Sequence, residues 1–430
     1  MANSAALILT HAHMDHVRYA SSFAKTGVLK NPGFTGYKKI PYVHCYSSGN
    51  NALYVDCGDA LPRNLGKNGN KAFPAPTFEP HMKISNVIMG EATAKWLEIE
   101  SHYHNFFNFS DIPNVAIAPV SRPFKFKGYK IRFFPSKHAF GSVFPVFKDE
   151  KRDLQVAHLV DADHGEYSRL AYKIRKGAHF SNLAQAVINS DFVCLDCSHV
   201  FSNYPNDSAS YSAYSEGIKR FKNGEYDHVV FSFFSPLNSF KHLIRIGKQF
   251  SVKERKEIIL IFPDNLTHEL FEAFTMQGAY AGNKDFEGLL PKPLVENLRS
   301  FNYSMVRSFR SIPPRSLIFT SDRKRAKILE NLKRTFRVVS KFRSFRLRKD
   351  YVDLVARNHP DRDEILRLIN NLIMYGKKGQ TIILNAPEGF RLSRIEKLER
   401  FKAILEKSKR PEYDKKICSV TRSQPIEYYE

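Results

Sequence analysis

The sequence predicts an α/β protein built around parallel sheets, and three observations predict it. Short apolar runs recur along the 430 residues, many of them followed by a stretch with helical periodicity. Loops rich in Gly, Pro and Asn at 62–80 and 203–210 punctuate that alternation. No fixed-period repeat or low-complexity tract competes with it.

The elements follow in order. The apolar run at 6–10 ends in a histidine-rich turn and reads as a strand. Segments 41–46 and 52–56 flank a turn at 49–51 and read as a hairpin. Segments 115–119, 129–135, 143–147 and 155–160 carry β-branched and aromatic residues, with alternation clearest in Tyr-Lys-Ile-Arg-Phe. Strands at 192–196, 228–233, 258–262, 316–319 and 381–385 are nearly continuous apolar runs, as in sheets covered on both faces. Helices are expected at 93–99, 182–188, 241–250, 267–275, 324–334 and 362–374, and strand-then-helix order is what a parallel sheet requires.

Composition narrows the function. With 43% hydrophobic and 25% charged residues the chain is neither a linker nor a disordered tail. No apolar run approaches the roughly 18–20 residues a membrane span needs. The first residues lack a basic leader, and five cysteines cannot frame a disulfide scaffold, so an intracellular protein, cytoplasmic or nuclear, is expected. Cys194 and Cys197 form one Cys-x-x-Cys without a second pair and read as core thiols. The net charge of +23 concentrates polyanions, making nucleic acid the expected partner and a membrane not. Residues 299–349 hold sixteen Lys and Arg against two acids. There Arg323, Lys324, Arg325, Lys333, Arg334, Lys341, Arg343 and Arg346 interleave with Phe, Leu, Ile and Val, a pattern that packs one face and presents cations on another.

The strongest local signal is His11-x-His13-x-Asp15-His16 at the mouth of the first strand. Alternate residues there project to one side, so His11 and His13 can converge on one metal ion while Asp15 and His16 turn to a second. Imidazole and carboxylate suit Zn²⁺, with one tight site and a weaker second divalent ion expected. His138, after a strand and before a Gly-containing turn, and Asp163, in Val-Asp-Ala-Asp-His-Gly, are the expected further ligands. Asp161 is the runner-up to Asp163.

This order of motifs resembles the metallo-β-lactamase fold and, within it, the β-CASP nucleases. The four-residue metal signature is intact, residues 86–100 are similar to the turn and helix after it, and Pro-Ser-Lys-His-Ala-Phe-Gly-Ser is similar to the segment bearing the third metal-binding histidine. His-Leu-Val-Asp-Ala-Asp-His resembles the strand whose aspartate bridges two metals, which implies that role for Asp163. Phe-Val-Cys-Leu-Asp-Cys implies Asp196 as the first β-CASP motif, and the segment before Pro360 implies His359 as the second. Residues 228–243 resemble the intervening strand-loop-helix without its usual Gly and Lys.

The resemblance implies an αββα sandwich with an inserted β-CASP domain. It assigns 1–200 and 346–395 to the sandwich, 201–345 to the insert, and 396–430 to a basic helical tail. It also implies metal-dependent phosphodiester hydrolysis, with Asp15 positioning water, His359 protonating the leaving oxygen and Asp196 orienting a neighbour. Asn385 falls where RNA-cleaving members tend to carry histidine, which favours the DNA branch and a 5′-to-3′ exonuclease of repair over an RNA-processing nuclease. A third reading is a catalytically weak nucleic-acid-binding subunit. Family members carry several strands before the metal signature, whereas ten residues precede His11. The hairpin at 41–58, with Asp56 ending its second strand, is read either as filling that gap in permuted order or as a surface insertion.

Overall fold

The protein is seen here as a computed structural model that describes residues 4–17, 40–48, 51–60, 84–103, 109–112, 114–120, 122–136, 138–197, 208–233, 236–276, 292–306, 312–341, 347–348, 350–355, 359–385, 401–403, 405 and 416–420. The chain forms two compact units, residues 1–202 with 358–430 and residues 203–357.

The first unit opens with β1 (Ser4–Leu9), whose side chains from Ala5 to Leu9 are almost wholly buried, as the continuous apolar run requires. The short helix α1 (Met14–Val17) follows. Next come the hairpin strands β2 (Ile40–Ser48) and β3 (Asn51–Ala60), then β4 (Ile84–Gly90), α2 (Glu91–Ser101) and β5 (Val115–Ala118). These strands make a five-stranded sheet in the order β2-β3-β1-β4-β5. The hairpin is therefore an integral edge of the sheet, with β3 parallel to β1, rather than a surface insertion. β4 escapes the sequence reading because its apolar residues run straight into the helix.

The chain continues as β6 (Pro123–Phe126), β7 (Tyr129–Pro135), β8 (Val143–Asp149), β9 (Leu154–Leu159), α3 (Glu166–Gly177), α4 (Asn182–Ile188) and β10 (Phe192–Asp196). It then enters the second unit: α5 (Ser208–Lys222), β11 (His228–Ser232), α6 (Pro236–Gln249), α7 (Val252–Glu257), β12 (Ile259–Phe262), α8 (Asn265–Phe271), α9 (Lys292–Arg299), β13 (Asn302–Met305), β14 (Ser316–Thr320), α10 (Arg323–Ile328), β15 (Thr335–Lys341), β16 (Leu347–Arg348) and β17 (Tyr351–Val355). The sheet order β13-β12-β14-β11-β15-β17-β16 is parallel except for β16. Because β17 pairs with β15, the unit runs to residue 357 rather than ending at 345. The helix expected over 324–334 stops at Ile328; a 3-10 turn at Leu329–Asn331 follows, and β15 begins at Thr335.

Back in the first unit, α11 (Arg362–Tyr375), β18 (Thr381–Asn385) and β19 (Lys416–Val420) complete a seven-stranded sheet in the order β19-β18-β10-β9-β8-β7-β6. The segment 396–430 is thus no simple helical tail: β19 pairs in parallel with β18. Alternation along β10 explains the layering. Val193 and Leu195 join Tyr167, Leu170 and Ile174 of α3 and Ile365, Leu368 and Leu372 of α11 in one core. Cys194, with Val160 and Ile383, instead meets Cys57 of the first sheet. His158 spans the same layer, its Nδ1 3.1 Å from the Tyr46 hydroxyl and its Nε2 3.4 Å from Cys57 Sγ. Two sheets thus face one another, and α3 and α11 cover the far side of the second.

On α2, burial pushes the Glu100 carboxyl up to about 8, against a lowering hydrogen bond from Trp96. The folded protein then keeps a proton that the unfolded chain releases near the ordinary value of 4.5, so stability falls as pH rises from about 4.5 to 8. Glu100→Gln should match the wild type near pH 5 and exceed it at pH 8.5 by about 1–3 kcal/mol in urea unfolding. Equal stability at both pH values would contradict that placement.

Candidate metal centre

The loops that follow β1, β7 and β9 converge at one end of the two facing sheets. Val143 N–H donates to Thr10 O at 3.0 Å, which ties the start of β8 to the end of β1 and brings His138 to His11 and His13. The turn 136–142 is held internally: the Ser142 hydroxyl donates within it and accepts from Ala139 N–H at 3.0 Å. Gly141, at φ +77, lies where a Cβ would come within 2.9 Å of Ala92 on α2, so a side chain there would push the turn off the helix. The Ser136 hydroxyl donates to Asp161 O at 3.0 Å, coupling this turn to the loop after β9.

Four histidines meet there. His11 Nε2 is 2.9 Å from His13 Nδ1, and His138 Nε2 is 3.2 Å from the same atom. The edge of a tetrahedron with zinc–nitrogen bonds of about 2.0–2.1 Å is about 3.3 Å, so these three nitrogens fit one ion. His16 Nε2 lies 3.5 Å from Asp161 Oδ2, while its Nδ1 pairs with Asp56, which lies within β3 rather than at a strand end. Three overlapping groups result, each with ligand atoms within 4.8 Å: His11, His13 and His138; His11, His16 and Asp161; and His138, Asp161 and His359. These buried His and Asp groups could hold a metal ion. Burial, followed by the neighbouring imidazoles of His16, His13, His138 and His359, pushes His11 well below the usual histidine range. Neutral imidazole is the form that binds metal.

The carboxylate that reaches the histidines is Asp161, and Asp163 belongs to none of these groups. Asp161 has φ +56, a left-handed conformation that turns the chain out of β9 and aims the carboxylate inward. Asp163 is half-buried, and its N–H donates to Glu166 Oε2 at 3.0 Å at the start of α3. Asp15 lies in α1, with its side chain outside the described residues.

Asp196 and His359 come together from distant parts of the chain, with Oδ2 and Nδ1 2.7 Å apart. His359 Nδ1 is also 3.9 Å from Asp161 Oδ1. Asp196 is held by a residue the sequence reading did not single out. The buried Tyr167 hydroxyl accepts from Asp196 N–H at 2.7 Å and donates to Leu159 O at 2.5 Å. Burial and then the Asp196 carboxylate push that phenol well above its usual value. Asn385, registered opposite Asp196, is fully buried, and among the described residues neither its side-chain nitrogen nor its side-chain oxygen has a hydrogen-bond partner.

Of the eight basic residues singled out in the second unit, the four whose side chains are described fall into two pairs. Lys324 is exposed, and Arg325 pairs with Asp322 at 3.4 Å, both near the carboxyl end of β14. Lys333 and Arg334 precede β15 at the opposite end of these parallel strands, about 20 Å away for strands of this length. Arg334 is held there by Asp227 at 3.3 Å and by Gly224 O. The side chains of Arg323 and Lys341 and all of Arg343 and Arg346 lie outside the described residues. Among the described residues, no helix is long and apolar enough to cross a membrane.

No protein-family model and no curated protein matches the chain. Among solved structures, a crystal structure of a protein of unknown function from Enterococcus faecalis V583 is similar over 88% of this chain and 74% of that chain, with 11% sequence identity and a TM-score of 0.48.

Proposed function

We propose that the protein is a metal-dependent phosphodiesterase acting on nucleic acid, a β-CASP nuclease of the metallo-β-lactamase fold with DNA favoured over RNA and 5′-to-3′ polarity. The observation that carries this reading is the convergence of four histidines and Asp161 beside the Asp196–His359 pair. Two facing sheets with a helical layer and a second α/β unit are compatible with it.

His11, His13, His138 and Asp161 would hold a zinc ion, and His16, Asp161 and Asp15 a weaker second one. When bound, zinc supplies Lewis acidity, drawing charge from a phosphoryl oxygen and lowering the pKa of coordinated water toward neutrality. Asp56 fixes the ring of His16 so that Nε2 faces Asp161. Asp15 positions the attacking water. Asp196 orients His359, which hands a proton to the leaving oxygen.

The test compares end-labelled single-stranded DNA and RNA, with free and blocked 5′ ends, for wild type, His138→Ala and Asp15→Ala, with and without chelator. Cleavage from a 5′-phosphate DNA end that the chelator and both substitutions abolish is expected. Preferential RNA cleavage would overturn the DNA assignment. Binding of either nucleic acid without cleavage would overturn the enzyme and leave a binding subunit.

A further inference from the structure

Helix α3 presents two faces of opposite character. Tyr167, Leu170, Ala171 and Ile174, spaced i, i+3, i+4 and i+7, are buried in the core. The exposed face repeats the same spacing with Arg169, Tyr172, Lys173 and Lys176 and contains no acid. An ordinary solvated helix face mixes signs and gains from i,i+4 pairs of opposite charge, whereas Arg169 and Lys173 repel at that spacing. None of these cations, nor Arg175 beside them, pairs with a carboxylate among the described residues.

The aromatic ring in this stripe is the second element. Tyr172 is 55% exposed, although nothing in the core needs it there. Arg175 Cζ and Lys176 Nζ each lie 6.0 Å from its ring centroid, so cations flank a flat, accessible surface. Cations beside an exposed ring match a polyanion that also carries planar groups. The stripe has a direction too. A Cβ on Gly165, four residues after Asp161, would lie 3.4 Å from Arg169 Nη1, so the head of the stripe lies over the loop that leaves Asp161. From Arg169 to Lys176 it runs about 10 Å along the helix, room for one or two nucleotides.

We propose that this face of α3 is an accessory binding surface for single-stranded nucleic acid. A base stacks on Tyr172, and Arg169, Lys173 and Lys176 neutralise the adjoining phosphates. The identity of the strand as the substrate's own rests on the function proposed above. The surface itself does not, because it needs no metal.

The test measures anisotropy of labelled oligothymidine and of a labelled duplex with the full chain in chelator, for wild type, Tyr172→Ala and the double variant Lys173→Glu/Lys176→Glu. All three positions are exposed, so unfolding midpoints should coincide and report that each variant folds. Wild type should prefer the single strand. Tyr172→Ala should weaken it about 5- to 100-fold with little change in salt dependence. The lysine variant should weaken it and reduce the salt slope by about 0.7 for each phosphate no longer neutralised. Unchanged affinity in both variants overturns the proposal. So does a silent Tyr172→Ala with equal binding of duplex, which would leave a generic polyanion face. If zinc-loaded wild type cleaves nothing while the variants still lose affinity, the surface stands and the hydrolase reading falls. Cleavage combined with variants that bind like wild type gives the reverse.

Discussion

Asp161→Ala is expected to lose its divalent ion on gel filtration and at least about 10³-fold in phosphodiester hydrolysis, while Asp163→Ala keeps both within a few-fold. The two carboxylates are two residues apart and share strand parity, so the distinction lies in the turn between them. Asp161 sits at φ +56, with one oxygen 3.5 Å from His16 Nε2 and the other 3.9 Å from His359 Nδ1. A carboxylate between two imidazoles is the group able to touch both candidate metal positions. Asp163 instead lies in the loop before α3, where its N–H donates to the Glu166 carboxylate. Metal analysis beside turnover on a labelled oligonucleotide checks the pair. Metal loss from Asp163→Ala, with retention in Asp161→Ala, would return the bridging role to Asp163.

That distinction shows where sequence reasoning stops. Period-two alternation gives His11 and His13 one side of a strand mouth, and the structure has them 2.9 Å apart. It cannot choose between Asp161 and Asp163, because the choice is made by a turn held through the Ser136 hydroxyl from a different strand. The Cys194-x-x-Cys197 pair was legible as core: Cys194 faces the first sheet and Cys197 the helical layer, so the thiols diverge. Burial first, followed by neighbouring acidic groups, pushes both thiols well above their usual values. Helix α3 was not legible. Its apolar face holds only Tyr167, Leu170, Ala171 and Ile174, and the polar residues that fill the rest of the segment mask their helical spacing. β15 was missed as well, since Arg337 and Lys341 interrupt its short apolar run of Phe336, Val338 and Val339. Asp56 was marked as a strand end, and its pairing with His16 depends on β3 lying beside β1, an arrangement that local pattern does not encode.

His359→Ala and Asp196→Asn are each expected to lower kcat by about 10²- to 10⁴-fold while zinc content stays at the wild-type level. The argument is geometric. Asp196 is fully buried, is held through its backbone by Tyr167, and offers its carboxylate to His359 Nδ1 at 2.7 Å. An imidazole so held has its tautomer and ring plane fixed, as a proton donor to a leaving oxygen requires. Asp196→Asn keeps the shape but removes the charge that favours the imidazolium. The alkaline limb of the rate profile should therefore move to lower pH, a change that a merely structural role would not produce. Tyr167→Phe frees the Asp196 backbone without touching either charge, so it should reduce kcat less and leave the pH profile in place. The competing role is also geometric, because His359 shares a cluster with His138 and Asp161. If His359→Ala loses zinc in proportion to rate, the imidazole is a ligand, and the proton for the leaving oxygen must come from elsewhere. Loss of rate with full metal assigns it to catalysis, and Asp196 to keeping it charged.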